Sequence, residues 1–437
     1  MNSRRKYFNP GGYLTVIIAL TPVILWLIAM PLDWDGAQNI FQSLGKLAGL
    51  AGMALFAWAV ILSARFKIYN RMFHGLDNTY RAHHNIGSIA FILLLLHPLF
   101  LTIRYFLISP NSAFEFLKPN LLSPFRALGS IALFGMVLAI IVTLYIKVSY
   151  KFFILAQRLL GLILFVGAIH AVFVGGSNLG FRGNGILSLQ IYFAVLIAMA
   201  LIVYVYRSIF HGNFAKFYEY KLDDIRKSGS IYEIVLSPIG DKLNFVPGQY
   251  AFIKQDSKGL LGESHPFSMS SSPDESKLKF GIKALGDFTA ALEGAEKGTT
   301  FKIDGPYGTF SNKVVKNSRQ IWIAGGIGVT PFMSMAKSAD ETQQIDLYYA
   351  LKTKQDAFYL AELEALDKQK SNFNLITYFE DKDGFLSADI IFEKSKNLED
   401  ANFMICGPSA MMKAIKRQLK QKRVKNKNIN TEEFNLS

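Results

Sequence analysis

Cysteine is nearly absent from this chain, since Cys406 is the only one among 437 residues. An intramolecular disulfide is therefore excluded, and so is a Cys-x-x-Cys site for zinc or an iron–sulfur cluster. Metal chemistry would fall to the histidines, of which there are seven. Charged residues are also scarce at 18%, below the roughly 25% of soluble proteins, whereas hydrophobic residues reach 51%. This composition excludes a disordered chain and argues against a wholly soluble one.

Acidic residues are fewer than basic ones, 33 against 47, and the formal net charge is +14. Membrane proteins carry such an excess on cytoplasmic loops, so a nucleic-acid partner is not implied and none is expected. Basic residues cluster at the amino terminus, between Arg65 and Arg81, between Lys147 and Arg158, and after Arg207. The alternate connections have fewer of them. We therefore expect both termini to be cytoplasmic.

Long apolar runs recur through the first half of the chain. Each is close to the 20 or so residues that cross a bilayer as a helix. We predict six spans in a lipid bilayer, over Tyr13–Met30, Leu44–Leu62, Ile86–Ile108, Ala127–Ile146, Phe152–Val174 and Ile186–Tyr206.

Two histidines, His97 and His170, lie well inside the third and fifth predicted spans. An ionisable side chain is costly at that depth and is usually functional. His83 precedes His97 by 14 residues, which is about 21 Å along a helix and within about 40° of the same face. Bis-imidazole ligation of haem iron would explain the pair. The alternative is that these histidines only form hydrogen bonds between helices.

From Phe214 to Asn312 the spans give way to short alternating strands separated by turn residues, a pattern that predicts a small antiparallel barrel. Within it the motif His265-Pro266-Phe267-Ser268 offers a flat apolar wall and hydroxyl groups to an isoalloxazine ring.

The last segment alternates strands and helices and predicts an open parallel sheet. The buried strand at 320–324 runs into the loop Gly325-Gly326-Ile327-Gly328-Val329-Thr330-Pro331. Glycines and a first-turn proline there would bring a phosphate to a helix amino terminus. Lys352 follows the next strand where an acid would favour an unphosphorylated ribose, so NADPH is expected over NADH.

Taken together, the spans with paired histidines and the two motif-bearing segments resemble the ferric reductase and NADPH oxidase superfamily. The resemblance implies a six-helix transmembrane haem bundle, then an antiparallel β-barrel flavin domain and an α/β parallel-sheet nucleotide domain. We place their bounds at 1–212, 213–316 and 317–437. It also implies FAD, NADPH and one or two haems b.

The resemblance assigns roles to individual residues. His97 and His170 would hold the outer haem and His83 one side of the inner haem, where the opposite position falls on Gln157, which is not a normal ligand. A single haem, an inner haem with one protein ligand, or His84 in place of Gln157 all remain open. Matching Gln157 with His170 also requires a local bulge in the fifth span, because thirteen residues end about 140° from the same helix face. Far-side arginines would pair with propionates or draw an anionic ferric chelate: Arg104, Arg126 or Arg182. The flavin would contact His265, Pro266, Phe267 and Ser268, and its pyrophosphate Lys283, Gly286 and Thr289. The nicotinamide nucleotide would contact Gly325, Gly326, Gly328, Thr330, Pro331, Lys352, Gly407 and Pro408. Cys406 would shape the hydride-transfer site, and Phe434 would cover the flavin.

The function so implied is electron transfer from cytoplasmic NADPH through FAD and haem b to an acceptor beyond the cell membrane, most simply a ferric complex. Two alternatives remain open. The acceptor could be dioxygen, reduced to superoxide as in an NADPH oxidase. The spans could also form a channel or transporter in which the histidines relay protons and the second half senses redox state.

Overall fold

The computed structural model describes residues 9–30, 35–64, 66–73, 75–118, 123–146, 150–180, 185–210, 217–255, 264–315 and 317–433. The chain divides into two compact units, 1–214 and 215–437. The first is helical and the second contains two β-sheets. We call them the membrane unit and the reductase unit and describe each by itself.

The membrane unit contains eight α-helices in its described part. Six of them, α1, α2, α4, α6, α7 and α8, are long and apolar enough to cross a membrane, which confirms the predicted number of spans. Their bounds are α1 Pro10–Ala29, α2 Ala37–Leu62, α3 Lys67–Met72, α4 Leu76–Phe106, α5 Pro110–Leu117, α6 Pro124–Tyr145, α7 Tyr150–Phe173 and α8 Leu187–Val205.

Local sequence explains where several helices begin. Proline occupies the first turn of α1, α5 and α6, where its missing N–H costs nothing. The side chains of Asn9 and Ser109 cap α1 and α5 by accepting backbone N–H groups. Helix α4 begins at Leu76, ten residues before the predicted span, because its polar first turns continue the helix beyond the apolar run.

Helix α2 is the central helix of the bundle, with two thirds of its most apolar window buried. Glycines on α2 allow close approach to α4: a β-carbon on Gly52 would lie 2.9 Å from Leu94, and one on Gly45 would lie 3.0 Å from Leu101. Small residues at helix contacts are the usual means of close packing in lipid.

The first sheet of the reductase unit is antiparallel and has six strands in the order β4-β3-β6-β1-β2-β5. Its ends meet through a bridge between Met269, just after β4, and Phe280 on β5. The predicted barrel is therefore confirmed. Its strands are β1 Tyr218–Ser228, β2 Ile231–Pro238, β3 Tyr250–Gln255, β4 His265–Ser268, β5 Leu278–Lys283 and β6 Thr300–Tyr307, with the short helix α9 Asp287–Ala291 before β6.

The second sheet has five parallel strands in the order β11-β10-β7-β8-β9, which confirms the predicted open α/β sheet. Its strands are β7 Arg319–Gly325, β8 Gln344–Leu351, β9 Phe373–Phe379, β10 Asn402–Cys406 and β11 Ile429–Glu432. The connecting helices are α10 Thr330–Lys337, α11 Leu360–Gln369, α12 Glu380–Asp383, α13 Ala388–Lys394 and α14 Ser409–Gln421.

Candidate functional site

His97 on α4 and His170 on α7 line one cavity of about 490 Å³ in the membrane unit. Helices α2, α5 and α6 also contribute to its walls. The lining is largely apolar and includes Met53, Leu94 and Leu164. The size is within the usual range of a cofactor pocket. The structure therefore brings together the two histidines that the sequence placed deepest in the apolar spans.

Each of these rings is oriented by a backbone carbonyl of a neighbouring helix. Nδ1 of His97 donates to the oxygen of Gly45 on α2 at 2.8 Å, and Nδ1 of His170 donates to the oxygen of Phe125 on α6 at 2.7 Å. A carbonyl can only accept, so the proton lies on Nδ1 and Nε2 keeps its lone pair. This arrangement is the usual outer support of a metal-bound imidazole.

Glycines leave room for the two rings. A β-carbon on Gly49 would lie 2.8 Å from Nδ1 of His97, and one on Gly129 would lie 2.6 Å from Nδ1 of His170. Two unprotonated Nε2 atoms, clearance beside each ring and an apolar enclosure are what a bis-imidazole haem requires. The residues of this cavity fit a haem group.

His83 has the same type of support, since its Nδ1 donates to the oxygen of Ala59 on α2 at 2.8 Å. It does not line the cavity of the other two histidines. The adjacent His84 is exposed. Matching Gln157 with His170 required a local bulge, and this expectation is wrong, because α7 is a continuous α-helix. Thirteen residues leave Gln157 about 140° from the His170 face.

Aromatic residues of neighbouring elements lie around the β4 motif of the barrel. Strand β4 carries the predicted His265-Pro266-Phe267-Ser268 motif, and Ser268 pairs with Tyr250 on β3. The Tyr250 ring lies 6.0 Å from that of Tyr307 on β6. The ring of Phe288 on α9 lies 4.2 Å from His265 and 5.9 Å from Phe267. These aromatic and proline surfaces suit one face of a flavin ring.

The residues expected at the flavin pyrophosphate form the turn before α9. The Thr289 hydroxyl accepts the N–H groups of Leu285 and Gly286 at 2.9 and 3.0 Å and donates to the oxygen of Gly286 at 2.8 Å. Thr289 therefore shapes this turn. Lys283 and Gly286 are exposed, and a β-carbon on Gly286 would meet no described atom within 4 Å. An anion has access there.

The glycine loop after β7 packs directly against the loop after β10. A β-carbon on Gly328 would lie 2.4 Å from the oxygen of Cys406, and one on Gly325 would lie 2.8 Å from the Pro408 ring. One on Gly407 would lie 2.9 Å from the α-carbon of Gly325. The structure thus joins two motifs that are some 80 residues apart in sequence. This meeting of two βα loops at the carboxyl ends of neighbouring parallel strands is where open α/β sheets bind nucleotides.

The remaining nucleotide residues lie around this junction. Thr330 is buried and donates to the oxygen of Ile327 at 2.7 Å, and Pro331 is buried in the first turn of α10. Gly326 adopts a φ of +54°, which a glycine permits. Cys406 is fully buried at the end of β10. Phe434 and Arg182 lie outside the described residues.

Lys352 is exposed after β8, as a residue that contacts a ribose phosphate must be. The nearest acid in this loop, Asp356, accepts the N–H of Thr353 at 3.2 Å and its hydroxyl at 3.0 Å. Asp356 therefore caps its own turn. Two cations, Lys352 and Lys354, and one anion, Asp356, are exposed in this loop.

A buried polar cluster between the barrel and the parallel sheet was not predicted from the sequence. Glu233 on β2 is only 3% exposed, and its pKa is raised, first by burial and then by the negative charge of Glu362. Lys279, Lys337 and Tyr359 oppose that rise without cancelling it. An acidic residue in an alternating strand is normally assigned to the solvent face, so the sequence gives no signal of this burial.

The comparisons with known proteins agree with this architecture. Residues 48–168 match the family described as ferric reductase like transmembrane component, residues 227–311 an FAD-binding domain, and residues 322–417 an oxidoreductase NAD-binding domain. The three matched segments follow the order of a ferric reductase or NADPH oxidase-type architecture. The chain is an oxidoreductase with a multi-pass membrane domain and NAD(P)- and FAD-binding domains.

Similar curated proteins match the reductase half. The chain is 30% identical over 218 residues to the 2-halobenzoate 1,2-dioxygenase electron transfer component of Burkholderia cepacia, covering 46% of this chain and 62% of that protein. It is 26% identical over 227 residues to NADH-cytochrome b5 reductase 1 of Pyricularia oryzae, covering 46% and 73%. The first curated relatives are thus matched over about three fifths of their length.

One solved structure is similar over most of the chain. The flavohemoglobin of Malassezia yamatoensis, with bound FAD and heme, has a TM-score of 0.50 at 16% identity and covers 92% of this chain and 99% of that one. At this identity the similarity concerns the fold alone.

Proposed function

We propose that this protein transfers electrons from NADPH through FAD and haem b to a ferric complex on the far side of the cell membrane. The observation that carries the proposal is the pair of Nδ1-to-carbonyl hydrogen bonds that leave Nε2 of His97 and His170 free to ligate in one cavity. When bound, FAD and haem would supply the conversion of a two-electron donor into single electrons for a one-electron acceptor.

The chain's residues would position these groups. In the proposal His97 and His170 hold the haem, and Gly49 and Gly129 give their rings the necessary clearance. The β4 motif with Phe288 forms an apolar wall for the flavin. The Gly325–Pro331 loop approaches the nucleotide phosphates, Lys352 contacts the 2′-phosphate, and Cys406, Gly407 and Pro408 shape the nicotinamide site. Domain bounds of 1–212, 213–316 and 317–437 belong to the same proposal. The first and second boundaries fall at or beside residues outside the described ranges.

We propose that both termini are cytoplasmic, which places NADPH oxidation inside the cell. The support is the distribution of lysine and arginine along the sequence, because basic residues are retained on the cytoplasmic side.

The test of the haem proposal is the spectrum of the purified full chain with pyridine haemochrome quantitation. We expect a Soret band and its loss in His97→Ala and in His170→Ala. His84→Ala is the matched control, since His84 is an exposed histidine on α4. A colourless protein expressed with ample haemin would refute the proposal and favour the channel interpretation.

Haem stoichiometry tests the inner site. A ratio of one haem per chain assigns the only haem to His97 and His170. A ratio of two that falls to one in His83→Ala assigns a second haem to His83, whose Nδ1 is held by Ala59.

The acceptor is tested with the same protein. We expect NADPH-dependent reduction of a ferric chelate under nitrogen. Superoxide formation with NADPH alone, unchanged in rate by added ferric chelate, would instead identify an oxidase.

A further inference from the structure

Three buried polar atoms between the barrel and the parallel sheet have no hydrogen-bond partner among the described residues. They are Oε1 of Glu233, Oγ of Ser270 and the hydroxyl oxygen of Tyr359. Burial raises the pKa of Tyr359, and further contributions come from Glu233 and Ser270, so both lie near its hydroxyl group. The three atoms therefore lie together without being aligned for hydrogen bonds. Because a buried polar group without a partner is costly, stability alone does not account for this cluster.

Tyr359 reaches the nucleotide loop from the cluster. A β-carbon on Gly281 of β5 would collide with the Tyr359 hydroxyl and would lie 3.2 Å from Oγ1 of Thr330. The missing side chain at position 281 therefore gives both hydroxyl groups room at the same point of the barrel. Thr330 in turn donates to the backbone oxygen of Ile327 at 2.7 Å, within the glycine loop after β7. The Tyr359 hydroxyl thus acts on that loop through a single intervening residue.

Ser270 belongs to the segment that follows the flavin motif of β4, and this segment is bonded to α10. The backbone oxygen of Ser271 accepts the hydroxyl of Ser334 on α10 at 2.7 Å. The hydroxyl oxygens of Ser272 and Ser338, the residue directly after α10, are 2.9 Å apart. Since α10 begins where the glycine loop ends, the expected flavin wall and the expected phosphate loop are both anchored at this interface.

Charged side chains surround the cluster. Nζ of Lys337 on α10 donates to the backbone oxygen of Ser270 at 3.3 Å and pairs with Glu362 at 2.9 Å. Nη1 of Arg226 on β1 lies 3.6 Å from Oε2 of Glu233. These contacts tie the barrel to the helices of the nucleotide domain and leave Oε1 of Glu233 facing the cluster.

Hydride transfer is sensitive to the alignment of the two domains. The reacting atoms must approach to about 3–3.5 Å, and a misplacement of about 1 Å can slow a reaction about a hundredfold. The flavin is expected on the barrel and the nicotinamide at the carboxyl end of the parallel sheet. Hydrogen bonds at such sites are often poorly aligned until the substrate binds. Unpaired groups at the junction of the two domains are therefore suited to set this alignment.

We propose that Tyr359 and Ser270 are positioning residues for hydride transfer from the nicotinamide to the flavin. Binding of the nucleotide at the glycine loop shifts Thr330 and aligns the Tyr359 hydroxyl with Ser270 and Glu233, which fixes α10 against the flavin segment. The C–H bond of the nicotinamide breaks and the hydride carries both electrons to the flavin, while neither side chain exchanges a proton. The inference rests on the first step of the proposed function and is independent of haem and of the acceptor.

The experiment measures flavin reduction by NADPH under nitrogen, as the loss of flavin absorbance in stopped flow, on the full FAD-loaded chain in detergent. The variants are Tyr359→Phe, Ser270→Ala and the double variant, and each substitution removes only a hydroxyl group. The matched control is Tyr349→Phe. The Tyr349 hydroxyl on β8 is also buried without a partner in the described part of the chain, but its charged neighbour is Asp356. Affinity for NADP⁺, FAD content and Tm are measured on the same samples.

We expect the limiting rate of flavin reduction at saturating NADPH to fall about tenfold in each single variant, as for a displacement of a fraction of an ångström. Affinity for NADP⁺ and FAD content should stay at the wild-type level. The double variant should be no slower than the slower single variant, since residues that act as a unit are not additive. The Tm should not fall, because each substitution removes an unpaired buried hydroxyl. Tyr349→Phe should match wild type in rate, affinity and FAD content.

Three results would overturn the inference. Wild-type rates of flavin reduction in both single variants would remove the positioning role. A slower rate with an equal loss of NADP⁺ affinity or of FAD would assign the hydroxyl groups to binding, and an equal decrease in Tyr349→Phe would assign the effect to packing of the core. Wild-type flavin that neither NADPH nor NADH reduces would refute the proposed function instead, so the two failures are distinguishable.

Discussion

Gly129 lies directly against the imidazole of His170: a β-carbon at position 129 would be 2.6 Å from both Nδ1 and Cε1 of that ring. Non-bonded heavy atoms do not approach each other so closely, so a larger residue at position 129 would displace the His170 ring or the helix. The backbone oxygen of Phe125, which accepts the hydrogen bond of His170, lies on the same turn of α6. One short segment therefore both orients and accommodates the histidine.

We predict that Gly129→Ala lowers haem content. Overpacking costs about 1–3 kcal/mol, and a displaced ring would weaken haem affinity by about tenfold or more. Haem per protein, measured by pyridine haemochrome, checks the effect. Gly167→Ala is the control, because Gly167 lines the same cavity and its β-carbon would lie 3.9 Å from Ala132, an ordinary contact. Equal haem content in the two variants would contradict the prediction.

Gly328→Ala should weaken nucleotide binding. The added carbon would lie 2.4 Å from the backbone oxygen of Cys406, so the two βα loops must separate. We expect at least about tenfold lower affinity for NADP⁺ by calorimetry, with a loss of about 1–3 kcal/mol in stability. Gly294→Ala, which would meet nothing within 4 Å, should bind like wild type.

Lys352→Glu should reduce the preference for NADPH over NADH. A carboxylate would repel the 2′-phosphate, and we expect the ratio of kcat/KM values to fall about tenfold or more. Lys368→Glu reverses the charge of an exposed lysine on α11 and is the control. If both variants retain the wild-type ratio, Lys352 does not contact the phosphate.

Glu233 makes stability depend on pH. Burial, and after it the negative charge of Glu362, raises the folded-state pKa of Glu233 above the ordinary value of a glutamate. The folded chain therefore binds the proton more tightly than the unfolded chain does, and the contribution of this group falls as pH rises above the unfolded pKa.

We accordingly expect Glu233→Gln to raise the Tm of the full chain in detergent at pH 8, with a smaller gain at pH 5. The Tm is measured by intrinsic fluorescence recorded during heating. Glu296→Gln, at an exposed position, should leave the Tm unchanged at both pH values. A larger gain at pH 5 than at pH 8 would contradict the sign.

The predictable features were those that depend on local pattern. Six spans, an antiparallel barrel and a parallel sheet follow from apolar length and periodicity, and His97 and His170 were identifiable because an ionisable group in an apolar span is costly. The carbonyl partners of these histidines, Gly45 and Phe125, could not be predicted from the sequence, because a contact between helices depends on packing.

Chemical type alone does not predict the partners of a polar side chain. The Thr289 hydroxyl bonds to the backbone of its own turn, which was not expected, and the contact of this residue with the flavin pyrophosphate stays a prediction. The spacing of small residues along α2, at Gly45, Gly49 and Gly52, was the available signal for close helix packing around the histidine, since small residues at such intervals mark helix contacts in membranes.

The hydroxyl of Tyr359, just before α11, occupies the space that a side chain at position 281 of the barrel would need, 2.4 Å from an ideal β-carbon there. The Tyr359 ring, which is buried next to Glu233, therefore packs the barrel against the parallel sheet. Separating the barrel from the parallel sheet would expose the Tyr359 ring and the carboxyl group of Glu233 to water. The nicotinamide should therefore gain access through rearrangement of side chains and loops near the glycine loop that follows β7. The barrel and the parallel sheet would stay packed together.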